Sequence, residues 1–202
     1  MSQDLPLYDI LRTATFAAGK HSNQRRKDAN QSPYINHPLQ VCETLTGVGV
    51  TDIKVLQAAL LHDTIEDTKT TEEELKQAFG EEVTSIVMEV TDDKSKSKVD
   101  RKKLQIIHAA SNTSKEAKLV KLADKYCNIF DLMTNPPSRW SSNQIKGYMI
   151  WSYAVCKELA GINHKLDVMI SSCFEKYLCL PITPEYIEQE LEAYYLLIEH
   201  ME

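Results

Sequence analysis

An all-α fold, a single bundle of about ten helices, is what this 202-residue chain predicts. Three observations carry that expectation. Apolar residues recur at three- and four-residue spacing nearly throughout, no run alternates β-branched residues, and helix start and stop signals fall between the apolar-periodic segments. With 43% hydrophobic residues there is enough apolar material for one core without disulfide support. Helices are expected over 5–20, 38–47, 52–64, 71–79, 81–91, 98–110, 114–133, 141–160, 164–179 and 184–200. Pro38, just after His37, is placed as a first helical residue, which would hold His37 in extended backbone at the helix mouth. Thr70 and Glu73 have capping-box spacing and Gly80 closes that helix. Pro136 and Pro137 end the segment that begins at Ser114, and Thr183-Pro184 reads as an N-cap and first turn. The polar stretches 21–36 and 92–100 lack helical pattern and are expected as surface loops.

Composition excludes several classes. Six glycines and seven prolines rule out collagenous or low-complexity chains. No apolar run approaches the roughly 18 residues of a membrane helix, and Met1–Asp9 is too polar for a secretory signal. Cys42, Cys127, Cys156, Cys173 and Cys179 are odd in number and form no CxxC pair, which suits free thiols in a reducing, cytoplasmic setting. The net charge of −6 resides entirely in residues 181–202, which hold six glutamates and no Lys or Arg. The chain therefore divides into a formally neutral body, 1–180, and an acidic helical extension, 181–202. Within the body the cations are clumped: six of the ten residues in 94–103 are basic, and Arg25, Arg26 and Lys27 form a second cluster. Two basic loops on a neutral body point to a local anion site. The run at 94–98 is short and lacks interleaved aromatics, so a nucleic-acid surface is not expected.

The sharpest chemical signal is His62-Asp63-Thr64-Ile65-Glu66-Asp67. On a continuous helix these four polar groups share one face within about 140°. Three carboxylates beside an imidazole repel one another unless a cation neutralises them, and a divalent metal is the simplest neutraliser. Two further segments add donors: His37 in Asn36-His37-Pro38, and Asp124, which stacks with Asn128 in the middle of an apolar helix. A carboxylate flanked by Leu119, Val120, Leu122 and Ala123 must be paired, by Lys121, by Lys125 or by a metal. His37, His62, Asp63 and Asp124 form a two-nitrogen, two-oxygen set without thiolate. Such a set suits Mn²⁺ or Fe²⁺, and its ligand types also accept Zn²⁺. His108, His164 and His200 have no partnered spacing, and Trp151, Tyr153 and the run 194–198 read as packing residues.

Several segments stand in a characteristic order: Phe16 to His21, Gln24-Arg25-Arg26-Lys27, Pro33-Tyr34-Ile35-Asn36-His37-Pro38, Ala58 to Thr68, Phe79-Gly80, Glu89 to Lys94 and Lys118 to Lys125. In these the chain resembles the HD-domain hydrolase half of the RelA/SpoT alarmone enzymes, and within that family the small stand-alone metazoan form. The resemblance covers about residues 5–180. It implies a Mn²⁺-dependent pyrophosphohydrolase, one ion per chain, that removes the 3′-diphosphate from (p)ppGpp, a small nucleotide, with no nucleic-acid or membrane partner. It implies His37, His62, Asp63 and Asp124 as metal ligands and Glu66 and Asp67 as the residues that orient and activate water. Arg26, Lys27, Lys98, Arg101 and Lys102 match the basic lining; Asn128 and Tyr148 match nucleotide-pocket residues. Phe130 and Gln144 stand where relatives tend to carry arginine, which puts two phosphate contacts in question. Two other readings are an NADPH phosphatase, an activity reported for the animal form, and a silent alarmone-binding module. The intact His62-Asp63 and Glu66-Asp67 pairs argue against the silent module.

Overall fold

In the computed structural model, which describes residues 6–111, 113–178 and 181–199, eleven helices account for the regular structure. They are α1 (Pro6–Lys20), α2 (Asn36–Gly47), α3 (Ile53–Leu61), α4 (Thr64–Asp67), α5 (Glu72–Phe79), α6 (Glu81–Val90), α7 (Lys98–Ala110), α8 (Lys115–Thr134), α9 (Ser142–Leu159), α10 (His164–Tyr177) and α11 (Pro184–Glu199). The one β pairing among the described residues is an isolated bridge between Arg25 and Pro33, which pins the base of the loop after α1. Cys179 and His200 lie outside the described residues.

The order of burial follows from sequence. Every residue of α3 from Val55 to Leu61 is buried, apolar except for Gln57, which donates to the Thr13 hydroxyl, and the helix sits at the centre, against α1, α2, α6 and α8. The 20-residue α8 crosses the whole core, packing on α2, α3, α6, α9 and α10. Helix starts are fixed by short polar side chains that accept orphan amides. Asp52 accepts from Lys54 N at 2.9 Å, Ser97 from Asp100 N at 3.0 Å and Ser114 from Ala117 N at 3.1 Å. Gly80, at φ +85°, ends α5 and opens α6 without an intervening residue, a conformation that a side chain would strain. Cys42, Cys127, Cys156 and Cys173 are buried free thiols. No described helix is long and apolar enough to cross a membrane.

Three local expectations are corrected. The helix predicted over 52–64 stops at Leu61. His62 and Asp63 form a turn, and the four-residue α4 follows as a separate helix. The cause is local: the Thr64 hydroxyl donates to Leu61 O at 2.7 Å, and Asp63 sits at φ −98°, ψ −2°. A side-chain hydroxyl competing for a helix carbonyl is a common way to interrupt the ladder. Pro38 is the third residue of α2 rather than the first, and His37 is helical rather than extended. The proline nitrogen falls among the first-turn positions that have no carbonyl to bond, so nothing is lost there. The cap of α5 is Thr71, accepting from Glu74 N at 3.2 Å, while Thr70 is buried with its hydroxyl paired to Thr68.

Leu45 is fully buried and Leu7 is 70% exposed. Leu45→Ala is expected to lower unfolding free energy by about 2–5 kcal/mol, and Leu7→Ala by no more than about 0.5 kcal/mol, in urea titrations followed by circular dichroism.

Candidate active site

Two adjoining cavities meet where α2, α8 and the end of α3 converge. The smaller, about 240 Å³, is lined by His37, His62, Asp63, Glu66, Asp67, Asp92, Lys98, Arg101, Lys102, Lys121, Asp124, Lys125 and Asn128. The larger, about 440 Å³, is lined by Arg25, Arg26, Lys27, Tyr34, Asn36, Gln40, Asp131, Trp140 and Tyr148 among others. Tyr34, His37, Asp67 and Asn128 border both. All thirteen residues singled out from the sequence therefore line this double cleft.

At its floor, ligand atoms of His37, His62 and Asp124 all lie within 4.8 Å of one another, and all three residues are buried. His37 Nε2 stands 3.0 Å from Asp124 Oδ1, and His62 Nε2 stands 3.7 Å from the same oxygen. Asp63 joins through the imidazoles, its Oδ2 lying 3.0 Å from His62 Nε2 and 3.9 Å from His37 Nε2. The donor chemistry fits a divalent cation. His62 Nδ1 donates to Ala59 O at 2.8 Å, which leaves Nε2 as the nitrogen that takes either a proton or a cation. That buried Nε2 has no hydrogen-bond partner, since its contact with Asp63 lacks hydrogen-bond alignment. A buried imidazole nitrogen without a hydrogen-bond partner, set among carboxylate oxygens, has the chemistry that a divalent cation fits, and a cation would satisfy these groups together.

The electrostatics agree. Burial would lower the His62 pKa, but Asp63 and then Asp124 overcome it and push it up to about 9. At His37 burial prevails over the attraction of Asp124, and the pKa is lowered. Asp63 and Asp124 are held below the ordinary carboxylate range despite burial, Asp63 chiefly by His62 and Asp124 chiefly by Lys125. Without a metal, a proton on His62 stands in for part of the cation's charge.

Around this floor stand partners that spacing predicts, Lys125 and Asn128, and others that it does not, Tyr34 and Asp131. The Tyr34 hydroxyl donates to Asp63 Oδ2 at 2.6 Å, orienting a candidate ligand. Lys125 Nζ donates to Asp124 Oδ2 at 2.8 Å and Asn128 Nδ2 to Oδ1 at 2.6 Å. Lysine and metal were weighed as alternative partners for Asp124, yet the two oxygens divide the work: Oδ2 meets the lysine and Oδ1 faces the imidazoles. Arg26 is held by Asp131 at 2.7 Å and reaches Asn128 Oδ1 at 3.3 Å. Spacing alone gave no signal for Tyr34, thirteen residues from Gly47's helix end and far from Asp63 in sequence, nor for Asp131, because both act through tertiary contacts.

Glu66 and Asp67 turn toward the basic loops. Glu66 accepts from Asp92 N at 3.3 Å and lies 3.5 Å from Arg101 Nη1. Burial, then Asp92 and Asp63, raise its pKa. Asp67 accepts from Lys94 Nζ at 2.8 Å and Gln24 Nε2 at 2.9 Å. Lys102 lies 3.2 Å from the centroid of Trp151 and 4.8 Å from that of Tyr148, with its pKa driven well down by burial and by Lys125. The fully buried Trp151 is thus both a packing residue and a platform for an ammonium group. Neither Phe130 nor Gln144 lines either cavity. Gln144 completes the capping box of α9 with Ser141, and Phe130 is half exposed beside Tyr126. His108 and His164 are exposed.

The family model for the HD domain matches residues 13–152. This chain belongs to the HD-domain family. The HD-domain chain is 51% identical over 175 residues to the guanosine-3′,5′-bis(diphosphate) 3′-pyrophosphohydrolase MESH1 of Xenopus tropicalis, covering 86% of this chain and 96% of that protein. It is 49% identical over 168 residues to MESH1 of Homo sapiens, with 83% and 93% covered. A solved structure of a metazoan orthologue of SpoT that hydrolyses ppGpp matches at a TM-score of 0.83 and 42% identity, covering 85% of this chain and 97% of that one. The all-helical HD fold and a divalent-metal site expected from sequence are both borne out by these findings.

Because the His62 imidazole is protonated up to about pH 9 when no cation is bound, loading is expected to displace a proton. Divalent-cation affinity should weaken as pH falls below about 9. Calorimetric titrations in buffers of different ionisation enthalpy should report proton release at pH 7.5. Asp124→Ala should abolish metal uptake, measured by elemental analysis. It should also destabilise the fold by about 3–5 kcal/mol, because Lys125 is left buried and unpaired.

Proposed function

We propose that this HD-domain protein hydrolyses guanosine 3′,5′-bis(diphosphate), releasing the 3′-diphosphate, at a centre held by His37, His62, Asp63 and Asp124. The observation that carries the reading is the convergence of those ligand atoms at the floor of a cleft walled by Lys98, Arg101, Lys102, Lys121 and Lys125. Kinship with pyrophosphohydrolases named for this reaction supports the substrate class. Mn²⁺ is the ion we assign, since two imidazoles and two carboxylates without thiolate suit an ion with open positions for water and substrate.

When bound, the cation supplies Lewis-acid polarisation of a phosphoryl oxygen and lowers the pKa of a water to near neutrality. The remaining work falls to the chain's own residues. Glu66, on the short helix beyond the ligand turn, takes the water's proton; its raised pKa brings it closer to the working pH of a general base. Asp67, fixed by Lys94 and Gln24, orients the water. Lys98, Arg101 and Lys102 hold the 3′-diphosphate and offset negative charge that grows in the transition state. Arg26 and Lys27 meet the 5′-phosphates at the larger cavity, where the rings of Trp140 and Tyr148, 5.5 Å apart, offer an apolar wall for the nucleoside. Asn128 joins the two halves, touching both Arg26 and Asp124.

Pyrophosphate, not orthophosphate, is the expected product from ppGpp with Mn²⁺, and a preference for orthophosphate release from NADPH would instead favour the phosphatase reading. Glu66→Ala is expected to retain metal while turnover falls about 10²- to 10⁴-fold. In the wild type, kcat/KM should fall on the acid side through the Glu66 pKa, at a pH above the ordinary glutamate value, and this limb should vanish in Glu66→Ala.

A further inference from the structure

The acidic extension exposes Glu185, Glu188, Glu192 and Glu199, while the face that holds Glu190, Tyr194 and Ile198 packs on the body. Helix α11 packs against α9 and α7, the two helices that bring Tyr148 and Lys102 to the cleft, with the buried Trp151 of α9 lying against Lys102. Its docking point on α9 is Gly147, the residue before Tyr148 and one helical turn before Trp151. A Cβ at position 147 would lie 2.7 Å from Cγ and 2.8 Å from Cβ of Tyr194 and would also overlap Cδ2. The ring of Tyr194 therefore occupies the space that any side chain at 147 would need, and Tyr194 is only 5% exposed. Two more contacts flank this seat. Glu190 pairs with Lys146 at 2.7 Å on the other side of Gly147, and the Lys103 ammonium lies 5.2 Å from the Tyr195 ring centroid, next to Lys102 on α7. Trp151 Nε1 donates to Lys102 O at 2.9 Å and ties the two braced helices together.

We propose that α11 is a positioning element of the nucleotide cleft, with Tyr194, seated on Gly147, as its positioning residue. Tyr194 touches neither cavity. It fixes the rotation and height of α9, so that Tyr148 faces the nucleoside side and Trp151 holds Lys102 under the phosphate side. The segment 181–202 is on this view an addition to the HD body that completes its pocket wall from behind; the HD family model itself ends at residue 152. This inference rests on the hydrolase reading above.

The test uses the full-length, Mn²⁺-loaded protein with ppGpp as substrate, and ppGpp binding to the same variants carrying Glu66→Ala, read by calorimetry. Ile198→Ala removes a buried side chain (3% exposed) from the same helix, one turn beyond the seat, and serves as the stability-matched control. Tyr194→Ala is expected to raise KM and weaken binding about three- to tenfold, the scale of one lost ordering contact, with kcat changed less than about twofold and metal content unchanged. Tyr194→Phe, which keeps the ring, should restore KM. Ile198→Ala should lower the melting temperature comparably while leaving KM at the wild-type value. Unchanged KM and binding in Tyr194→Ala would overturn the proposal, as would an equal rise in KM for Ile198→Ala, which would make α11 a stabilising clasp only. Failure of the hydrolase reading would appear differently, as ppGpp binding without pyrophosphate release in the wild type.

Discussion

One buried carboxylate organises this molecule. Asp124 lies buried midway along α8, and an unpaired charge there would be prohibitive. Its compensation comes from three directions: Lys125 and Asn128 on its own helix, and the imidazoles of His37 from α2 and His62 from the end of α3. Satisfying this one side chain therefore ties α2, α3 and α8 together at one point of the core. A cation at that point would add to an arrangement already specified by helix packing, which is how a site gains precision from rigid elements rather than from loops.

Charge is partitioned with similar economy. The body is formally neutral, yet its two clusters of cations approach the same cleft, one from the α1–α2 connection and one from the first turns of α7. Acids already present there hold the cations in place: Asp131 holds Arg26, Glu66 lies against Arg101, and Asp67 meets Lys94. A polyanion entering the cleft competes for cations that are pre-positioned, with little side-chain ordering left to complete. Three lysines, Lys102, Lys121 and Lys125, crowd the phosphate side, and burial and mutual repulsion lower the pKa of the first two. A diphosphate bound beside these lysines would relieve that repulsion.

Much of this was legible in the sequence because its carriers are local. Helical periodicity and capping residues give ten of the eleven helices to within a few residues, and the donor types in His37, His62, Asp63 and Asp124 announce a hard-ligand centre. What was not legible depends on tertiary approach. Tyr34 bonding Asp63 and Asp131 clamping Arg26 span 29 and 105 residues, and no spacing rule encodes such pairs. Gln144, whose absence of charge suggested a missing phosphate contact, is committed to capping α9, a role set by Ser141 three residues earlier. Gly147 carries no local message at all; only the ring of Tyr194, 47 residues onward, explains it.

The break between α3 and α4 shows how a single misread residue changes the chemistry. On the unbroken helix expected from periodicity, His62, Asp63, Glu66 and Asp67 share one face and one environment, and their carboxylates repel alike. Thr64 ends that helix by bonding Leu61 O, and the motif divides. Asp63 stays with the imidazoles, which hold its pKa down and keep it a permanent anion fit to ligate. Glu66 moves to a half-buried position beside Asp92, where burial and like charge push its pKa up, toward the range in which a carboxylate exchanges protons during turnover. Two acids three residues apart thus acquire opposite shifts, one suited to holding charge and one to moving a proton. A straight helix would have given neither.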